Sequence, residues 1–361
     1  MTSGNMNSQP LEGKRVLVTG GTGSLGQILV RRLLGGEMGR TATIVVFSRD
    51  EAKQHAMRVE YKHRREATDE VIYQGAEERL HFLIGDVRDL HSVSAALREA
   101  DVVINAAALK QVPTCEYFPF EAVQTNIAGP ENIVRAIQEQ RLAVETVVGV
   151  STDKACKPVN VMGMTKAIQE RIFIQANMRC PETRFICVRY GNVLASRGSV
   201  IPLFHEQIRN GGPVTITTRE MTRFLLSLDR AVDTIFAALR HAKRGETYIP
   251  HAASANMVDL ATSLIGDRRI EIIVTGVRPG EKVHEILVSE EESNRTRRRG
   301  DFYAISPMLP ELGDAADTGP PLEREYSSAD CVMPYSELTV MLREYRLMPG
   351  EAIFEHGDFL R

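Results

Sequence analysis

No run of about 18 apolar residues occurs in this chain of 361 residues, so no segment is expected to span a bilayer. The opening M-T-S-G-N-M-N-S-Q-P-L-E-G-K-R lacks the apolar core of a signal peptide, and none is expected. Net charge is nearly missing too. The balance of 44 Lys and Arg against 47 Asp and Glu leaves −3, which gives nucleic acid or a membrane surface no polybasic face to bind. Cys115, Cys156, Cys180, Cys187 and Cys331 are scattered and odd in number, with no C-x-x-C pair. That is the usage of a reducing cytoplasm, the expected location. The nine histidines form no H-E-x-x-H or comparable ligand set, so no catalytic metal is expected. There is no internal repeat.

What is present is an ordinary globular composition, 43% hydrophobic and 25% charged, long enough for one large or two modest domains. Strand-like and helix-like segments alternate from residue 14 onward. Strands are predicted at Arg15–Thr19, Thr43–Phe47, Leu80–Ile84, Val102–Asn105, Thr146–Val150 and Phe185–Arg189. Helices are predicted at Leu25–Leu34, from Asp50, near Ser92–Glu99, at Thr125–Gln138 and at Met164–Met178. Doubly apolar strands separated by helices predict a doubly wound parallel sheet covered on both faces. The pattern loosens after Asn192 into a smaller mixed α/β lobe. The stretch S-E-E-E-S-N-R-T-R-R-R-G and a Pro/Gly-rich stretch ending near Pro321 read as surface loops. A last helix is expected around Tyr335–Tyr345. The resulting division is 13–195 for the first domain, with returning segments near 222–246, then a discontinuous lobe over 196–330, and a helix and tail over 331–361.

The first strand runs into T-G-G-T-G-S-L-G, which opens a helix. Gly20 permits a tight turn, Gly23 lets the backbone approach a pyrophosphate, and Gly26 allows close helix–sheet packing. Thr22, Ser24 and Leu25 complete the loop, whose helix N-terminus offers N–H groups and a positive dipole end. A glycine-rich turn alone is weak evidence for a dinucleotide, but its place between strand and helix strengthens it. The end of the second strand reads V-V-F-S-R-D-E-A-K. Ser48, Arg49 and Lys53 put a hydroxyl and two cations where an NAD site has a carboxylate, which suits the 2′-phosphate of NADP better than NAD. The plainer alternative is that Asp50 takes the acidic role and Arg49 is a solvated arginine. Asp86 and Val87 follow the third strand, where a carboxylate can accept from an adenine amino group, although Asp86 would also serve as a helix cap. Ala106, Ala107 and Ala108 follow the fourth, with side chains small enough for a cofactor to lie against backbone.

After the fifth strand comes S-T-D-K-A-C-K-P-V-N-V-M-G-M-T-K-A. Elsewhere stand N-A-A-A-L-K-Q-V-P-T-C-E-Y-F-P-F-E-A-V, R-Y-G-N-V-L-A-S-R-G-S-V-I-P, E-M-T-R-F-L-L-S-L and G-V-R-P-G-E-K-V-H-E. Together these strings resemble the UDP-N-acetylglucosamine 4,6-dehydratases of the extended short-chain dehydrogenase/reductase superfamily, over roughly residues 13 to 290 and the Tyr326-Ser327-Ser328 segment. M-T-R-F, M-G-M-T-K and the lack of transmembrane helices look most like the C5-inverting branch. The resemblance implies a Rossmann-type domain with a smaller substrate lobe, bound NADP and a UDP-sugar substrate, UDP-GlcNAc. It also implies a homo-oligomer, for which a hexamer is expected, and a role in making a glycoconjugate.

The family's Tyr-x-x-x-Lys spacing is kept with Lys166 as the lysine, but the tyrosine position holds Met162, which cannot exchange a proton. By the family's pattern Asp153 is the acid for the departing C6 hydroxyl and Lys154 the base at C5, made partly neutral by desolvation and by Lys166. Lys154, Asp153 or a water held by Thr152 would take the C4 hydroxyl proton, and the residues do not choose between them. Lys110 and Glu116 are less specific substrate candidates, since either can be an ordinary loop charge. Asn192 and the loop of Arg197, Ser199 and Val200 resemble the family's nucleotide-sugar contacts. Arg223 and Arg278 are candidates for the diphosphate and Glu281 for the uridine ribose. The stretch Tyr61–Leu80 is longer than the family pattern and reads as a charged surface insertion. Two rival readings remain. One is another nucleotide-sugar enzyme, a 4-epimerase, a C3/C5-epimerase or a C5,C6-dehydratase. The other is a catalytically silent NADP-sensing protein.

Overall fold

The computed structural model describes residues 9–63, 76–194, 199–313 and 319–350. Strands β1 (Arg15–Thr19), β2 (Thr43–Ser48), β3 (Leu80–Ile84), β4 (Val102–Asn105), β5 (Thr146–Thr152) and β6 (Arg184–Tyr190) lie within a residue or two of where periodicity places them. Beyond them come β7 (Val214–Ile216), β8 (Thr222–Phe224), β9 (Thr247–Pro250), β10 (Ser254–Asn256), β11 (Ile272–Val274), β12 (Ile286–Val288), β13 (Thr296–Arg299), β14 (Phe302–Ile305) and β15 (Tyr326–Ser327). One nine-stranded sheet runs in the order β13-β14-β9-β6-β5-β4-β1-β2-β3. From β3 to β9 every pairing is parallel, and β14 and β13 add an antiparallel edge. This is a Rossmann-like α/β fold. Strand order reverses between β1 and β4, so the crevice at the carboxyl ends of those strands is where a ligand can settle.

Alternation along the strands divides the core. Val16 and Val18 face one layer with Leu29, Leu33, Ile235 and Leu239, from the helices Ser24–Leu34 and Leu228–His241. Leu17, Val103 and Phe185 face the other, with Leu97, Ile133 and Phe173 from the helices Leu90–Leu97, Gly129–Gln140 and Val161–Arg179. A separate apolar cluster joins Ile201 and Phe204 to Leu260, Leu264, Leu338 and Leu342. These lie on the helices Val200–Arg209, Met257–Ile265 and Tyr335–Glu344.

Two expectations need correcting. The stretch Ser289–Gly300 is no surface loop. Ser289 and Glu292 form a capping box on the short helix Glu290–Ser293, β13 joins the main sheet, and Glu292 and Thr296 are buried. The cause is long-range: the buried Arg189 guanidinium needs carboxylates, and Glu170 and Glu292 supply them at 2.6 and 2.8 Å. The Pro310–Pro321 region is exposed where described, with residues 314–318 outside the described residues. The helix expected at Thr125–Gln138 begins instead with a wide turn, Gln124–Ala128, before Gly129–Gln140. Pro130 has no N–H to continue a regular ladder, and the Asn126 side chain is turned to Leu109 and Thr165. Of the long stretch at Tyr61–Leu80, helix Glu51–His63 and helix Ala76–Arg79 flank residues 64–75, which lie outside the described residues.

Candidate active site

The loop between β1 and its helix is shaped as a backbone cradle. Gly20 has φ +67°, and a Cβ there would stand 2.8 Å from the Ala107 backbone, so the alanine loop after β4 closes against it. A Cβ on Gly26 would meet Gly21 Cα at 2.5 Å, which lets the helix start tight on the turn. Gly23 is exposed and caps the helix with no side chain, leaving the first N–H groups, at Ser24 and Leu25, for an anion. Thr22 Oγ1 meets Ser48 Oγ at 3.0 Å, tying loop to β2, and Ser48 Oγ also accepts from Asp50 N at 3.2 Å. Arg49 lies half-exposed beside it, 3.8 Å from Asp86 Oδ2. Lys53 is paired with Asp50 at 3.0 Å. Asp86 is not the helix cap, a role taken by Asp89 through His91 N and Ser92 N. Burial opposes its charge, but hydrogen bonds from Arg88 outweigh that and hold the Asp86 carboxyl below its usual range. Val87 is buried under this loop, and its carbonyl accepts from Asn132. Ala106, Ala107 and Ala108 line the crevice half-buried. A dinucleotide's pyrophosphate fits this set.

At the carboxyl end of β5 the chain turns tightly through Asp153–Ala155. Asp153 is wholly buried, and its Oδ1 lies 3.1 Å from Lys154 Nζ and accepts from Thr152 Oγ1 at 2.8 Å. Thr152, whose bound water is one of three alternatives for taking the C4 hydroxyl proton, donates its own proton to Asp153. Asp153 Oδ2 has no partner. It faces Gly191, where a Cβ would lie 3.3 Å from it and 2.7 Å from Phe224 Cβ. On the far side of Lys154 stands Glu285 at 3.3 Å, with Asn192 Oδ1 at 3.5 Å. Burial and the Glu285 charge push the Asp153 carboxyl up, while the ammonium pulls against them. Glu285, also buried, is held below its usual range by Lys154, Arg223 and Lys282, which outweigh its desolvation.

Lys154 departs from expectation. Burial alone would lower its pKa, but the carboxylates of Asp153 and Glu285 outweigh burial and raise it, so the resting amine is an ammonium. Lys166 does not act on it. The Lys166 amine is buried, tied to Val150 O at 2.5 Å and Gln169 Oε1 at 2.7 Å, and burial brings it down to about 8. One turn earlier on the same helix, Met162 is packed with Cys115 and Ala122 in a small apolar cluster. Glu116 is not aimed at a substrate but accepts from Val161 N at 2.7 Å, where this helix begins.

The residues expected around a nucleotide are placed unevenly. Arg223 is corrected. It is buried, and its Nη atoms donate to the carbonyls of Thr222, Lys282 and Val283 at 2.8–3.0 Å, so its fork is committed to backbone. Arg278 is exposed, and Glu281 accepts from Thr217 Oγ1 at 3.4 Å. Ser199 caps the helix that starts at Val200, with its Oγ buried and unpartnered. Lys110 is exposed on the loop after β4. Arg197 lies outside the described residues. Sequence reasoning missed Glu285, although it closes the R-P-G-E-K-V-H-E string; a carboxylate next to the apolar I-L-V strand was the available signal. Among the described residues no helix is long and apolar enough to cross a membrane, and no cluster of His, Cys, Asp and Glu suits a metal.

A family model described as polysaccharide biosynthesis protein matches residues 16–307. A protein of Rickettsia conorii named UDP-glucose 4-epimerase is 43% identical over 297 residues, 81% of this chain and 82% of its own. The X-ray structure of Pen from Bacillus thuringiensis superposes with a TM-score of 0.82 at 33% identity, covering 94% of this chain and 99% of that one. The dTDP-glucose 4,6-dehydratase DesIV of Streptomyces venezuelae, solved with NAD and TYD bound, shares the fold. Its TM-score is 0.63 at 21% identity, over 92% of this chain and 98% of that one.

Proposed function

The chain belongs to the polysaccharide biosynthesis protein family, and on that premise we propose that it is an NADP-dependent UDP-N-acetylglucosamine 4,6-dehydratase that inverts C5. The observation that carries this reading is the Asp153–Lys154 pair at the end of β5, a fully buried acid and a partly buried amine held 3.1 Å apart with one carboxyl oxygen unpartnered. Changing the configuration at C4 needs hydride transfer there and a base for the C4 hydroxyl proton, but no chemistry at C5 or C6. Removing water from C5 and C6 needs a proton donor and a proton acceptor side by side, which this pair is.

Gly20, Gly23 and Gly26, the N–H groups of Ser24 and Leu25, and Lys166 would hold the cofactor, with Asp86, Val87 and the alanine loop against its adenosine half and reacting end. Arg49, half-exposed beside Ser48, supports NADP over NAD. Bound there, oxidised NADP supplies a reversible hydride acceptor for the sugar. Asp153, whose burial favours its protonated form, takes the proton of the Lys154 ammonium and gives it to the C6 hydroxyl as water departs. Lys154, left neutral by that transfer to Asp153, accepts the proton of C5 once a ketone at C4 has acidified it. Reprotonation from the opposite face gives the inverted centre. Asn192, Ser199, Val200, Arg278 and Glu281, with Arg197 and Lys110, are the proposed UDP-sugar contacts. Arg223 braces Glu285 and the backbone beside them.

Incubation with UDP-GlcNAc in deuterated water tests the reading: a C6 methyl signal and deuterium at C5 are expected by NMR. The second reading, a 4-epimerase, is favoured by the names of the Rickettsia relatives. It requires conversion of UDP-glucose to its C4 epimer with no methyl signal. Met162, without a hydroxyl, speaks against it. We also propose a cytoplasmic homo-oligomer, a hexamer. Exposed Tyr117, Phe118 and Phe120, the first 82% accessible, support assembly, and the five free cysteines support the compartment. Sedimentation measures the former.

A further inference from the structure

We propose that Glu285 is a positioning residue that sets how many protons the Asp153–Lys154 pair carries; the proposal rests on the dehydratase reading of this site. The Lys154 ammonium lies between two carboxylates, Asp153 on its own turn at 3.1 Å and Glu285 from the C-terminal half at 3.3 Å. The Glu285 side chain is only 4% exposed and that of Asp153 is fully buried, so water screens neither.

The backbone of Glu285 is held in place. Its N–H donates to Ser328 Oγ at 3.0 Å and its carbonyl accepts from Ser328 N at 2.8 Å. Ser328 is in turn bonded to Thr222 Oγ1 at 2.7 Å, and Thr222 to His284 Nδ1 at 2.8 Å. Among the described residues, Asp153 accepts from Thr152 and lies in the field of Lys282 as well as of Lys154 and Glu285. Lys154 faces Asp153, Glu285, Asn192 and Arg223. Glu285 faces Lys154, Arg223 and Lys282, and Lys282 donates to the carbonyl of Cys156, beside the catalytic turn. Arg223 comes no nearer than 3.7 Å with its Nε, its other donors being committed to carbonyls.

The chemistry gives Glu285 a defined task. Elimination breaks C5–H and C6–O and forms the C5–C6 double bond. The pair starts as a carboxylic acid and an amine and ends as a carboxylate and an ammonium, holding one proton throughout. An additional negative charge beside both groups raises the proton affinity of both. It therefore places the pH window in which one proton is shared, whichever member holds it. A residue that merely filled space would change the rate and leave that window in place.

The test uses the full chain, with Glu285→Gln and Glu285→Asp against wild type. The pH profile of kcat/KM for UDP-GlcNAc is read by the methyl product from pH about 5 to about 10. Both limbs are expected to move to lower pH in Glu285→Gln, by about one unit. Glu285→Asp, whose carboxylate is withdrawn by a methylene, is expected to move them the same way by less. It also keeps the test open should the glutamine variant not fold. Unmoved limbs in the variants that fold overturn the proposal. Absence of turnover in wild type overturns the dehydratase reading instead. The Lys154 ammonium is then titrated by 15N NMR, assigned with Lys154→Met: a lowered Lys154 pKa in the variants supports the role of Glu285, and an unchanged one overturns it.

Discussion

Glu292 accepts from Arg189 Nη1 at 2.8 Å and from Nη2 at 3.0 Å, across 103 positions of sequence. Glu170 takes the other edge of the same guanidinium at 2.6 and 3.0 Å and accepts from Ser151 Oγ, two residues before Asp153. The bridge thus holds β6, the helix Val161–Arg179 and the capping box at Ser289 together beneath the site.

This bridge has a pH signature. Burial opposes the Glu292 charge, but Arg189 outweighs it and brings the carboxyl down to about 2. A depressed carboxyl stabilises the fold above its unfolded pKa and loses that contribution as pH falls toward the folded value. On the order of 3 kcal/mol is expected to disappear between pH about 4.5 and about 2. Urea unfolding across that range measures it, and Glu292→Gln should flatten the dependence. Arg189→Ala, which strands two buried carboxylates, should cost about 3–5 kcal/mol.

Asp153→Asn and Lys154→Ala should separate the proposed roles. Each is expected to lower formation of the methyl product by about 10²–10⁴-fold. Lys154→Ala should also abolish deuterium uptake at C5, followed by NMR, and retention of full exchange would reassign the base.

Lys166 predicts the same direction of pH dependence as Glu292, in an alkaline window instead of an acid one. Burial lowers its pKa from 10.5 to about 8, so the folded state prefers the neutral amine. The cost of burying the charge applies below pH about 8 and vanishes toward about 10.5, so stability should rise over that interval. Lys166→Met should remove the rise, seen by thermal or urea unfolding at each pH, and should weaken NADP binding by calorimetry.

Gly26→Ala forces a methyl to 2.5 Å from Gly21 Cα. Backbone cannot yield cheaply on either side, and a loss of about 1–3 kcal/mol is expected with weaker cofactor binding. Denaturant melts and calorimetry report the two effects independently.

Arg49→Ala tests the cofactor preference. NADP affinity should fall by about tenfold or more while NAD affinity changes little, because only the former presents a 2′-phosphate to the guanidinium. Equal losses for both would remove Arg49 from that role.

The amino-acid order alone determined the parallel sheet. β1, β2, β4, β5 and β6 are short apolar runs buried on both faces, and the turn T-G-G-T-G-S-L-G needs its glycines because a Cβ at Gly20 or Gly26 would strike backbone. Those are local constraints, satisfied within a few residues, and they are legible without a fold. The partners of charges are not local. Nothing adjacent to S-E-E-E-S-N-R-T-R-R-R-G announces that Glu292 is buried against Arg189. Nor does the R-P-G-E-K-V-H-E string show that Glu285 faces Lys154, or that Arg223 has spent its donors on carbonyls. Folding decides these points, because a buried charge takes whichever partner the chain topology carries to it. The state of Lys154 follows from that: desolvation suggested a neutral amine, but adjacent Asp153, joined by the distant Glu285, makes it an ammonium.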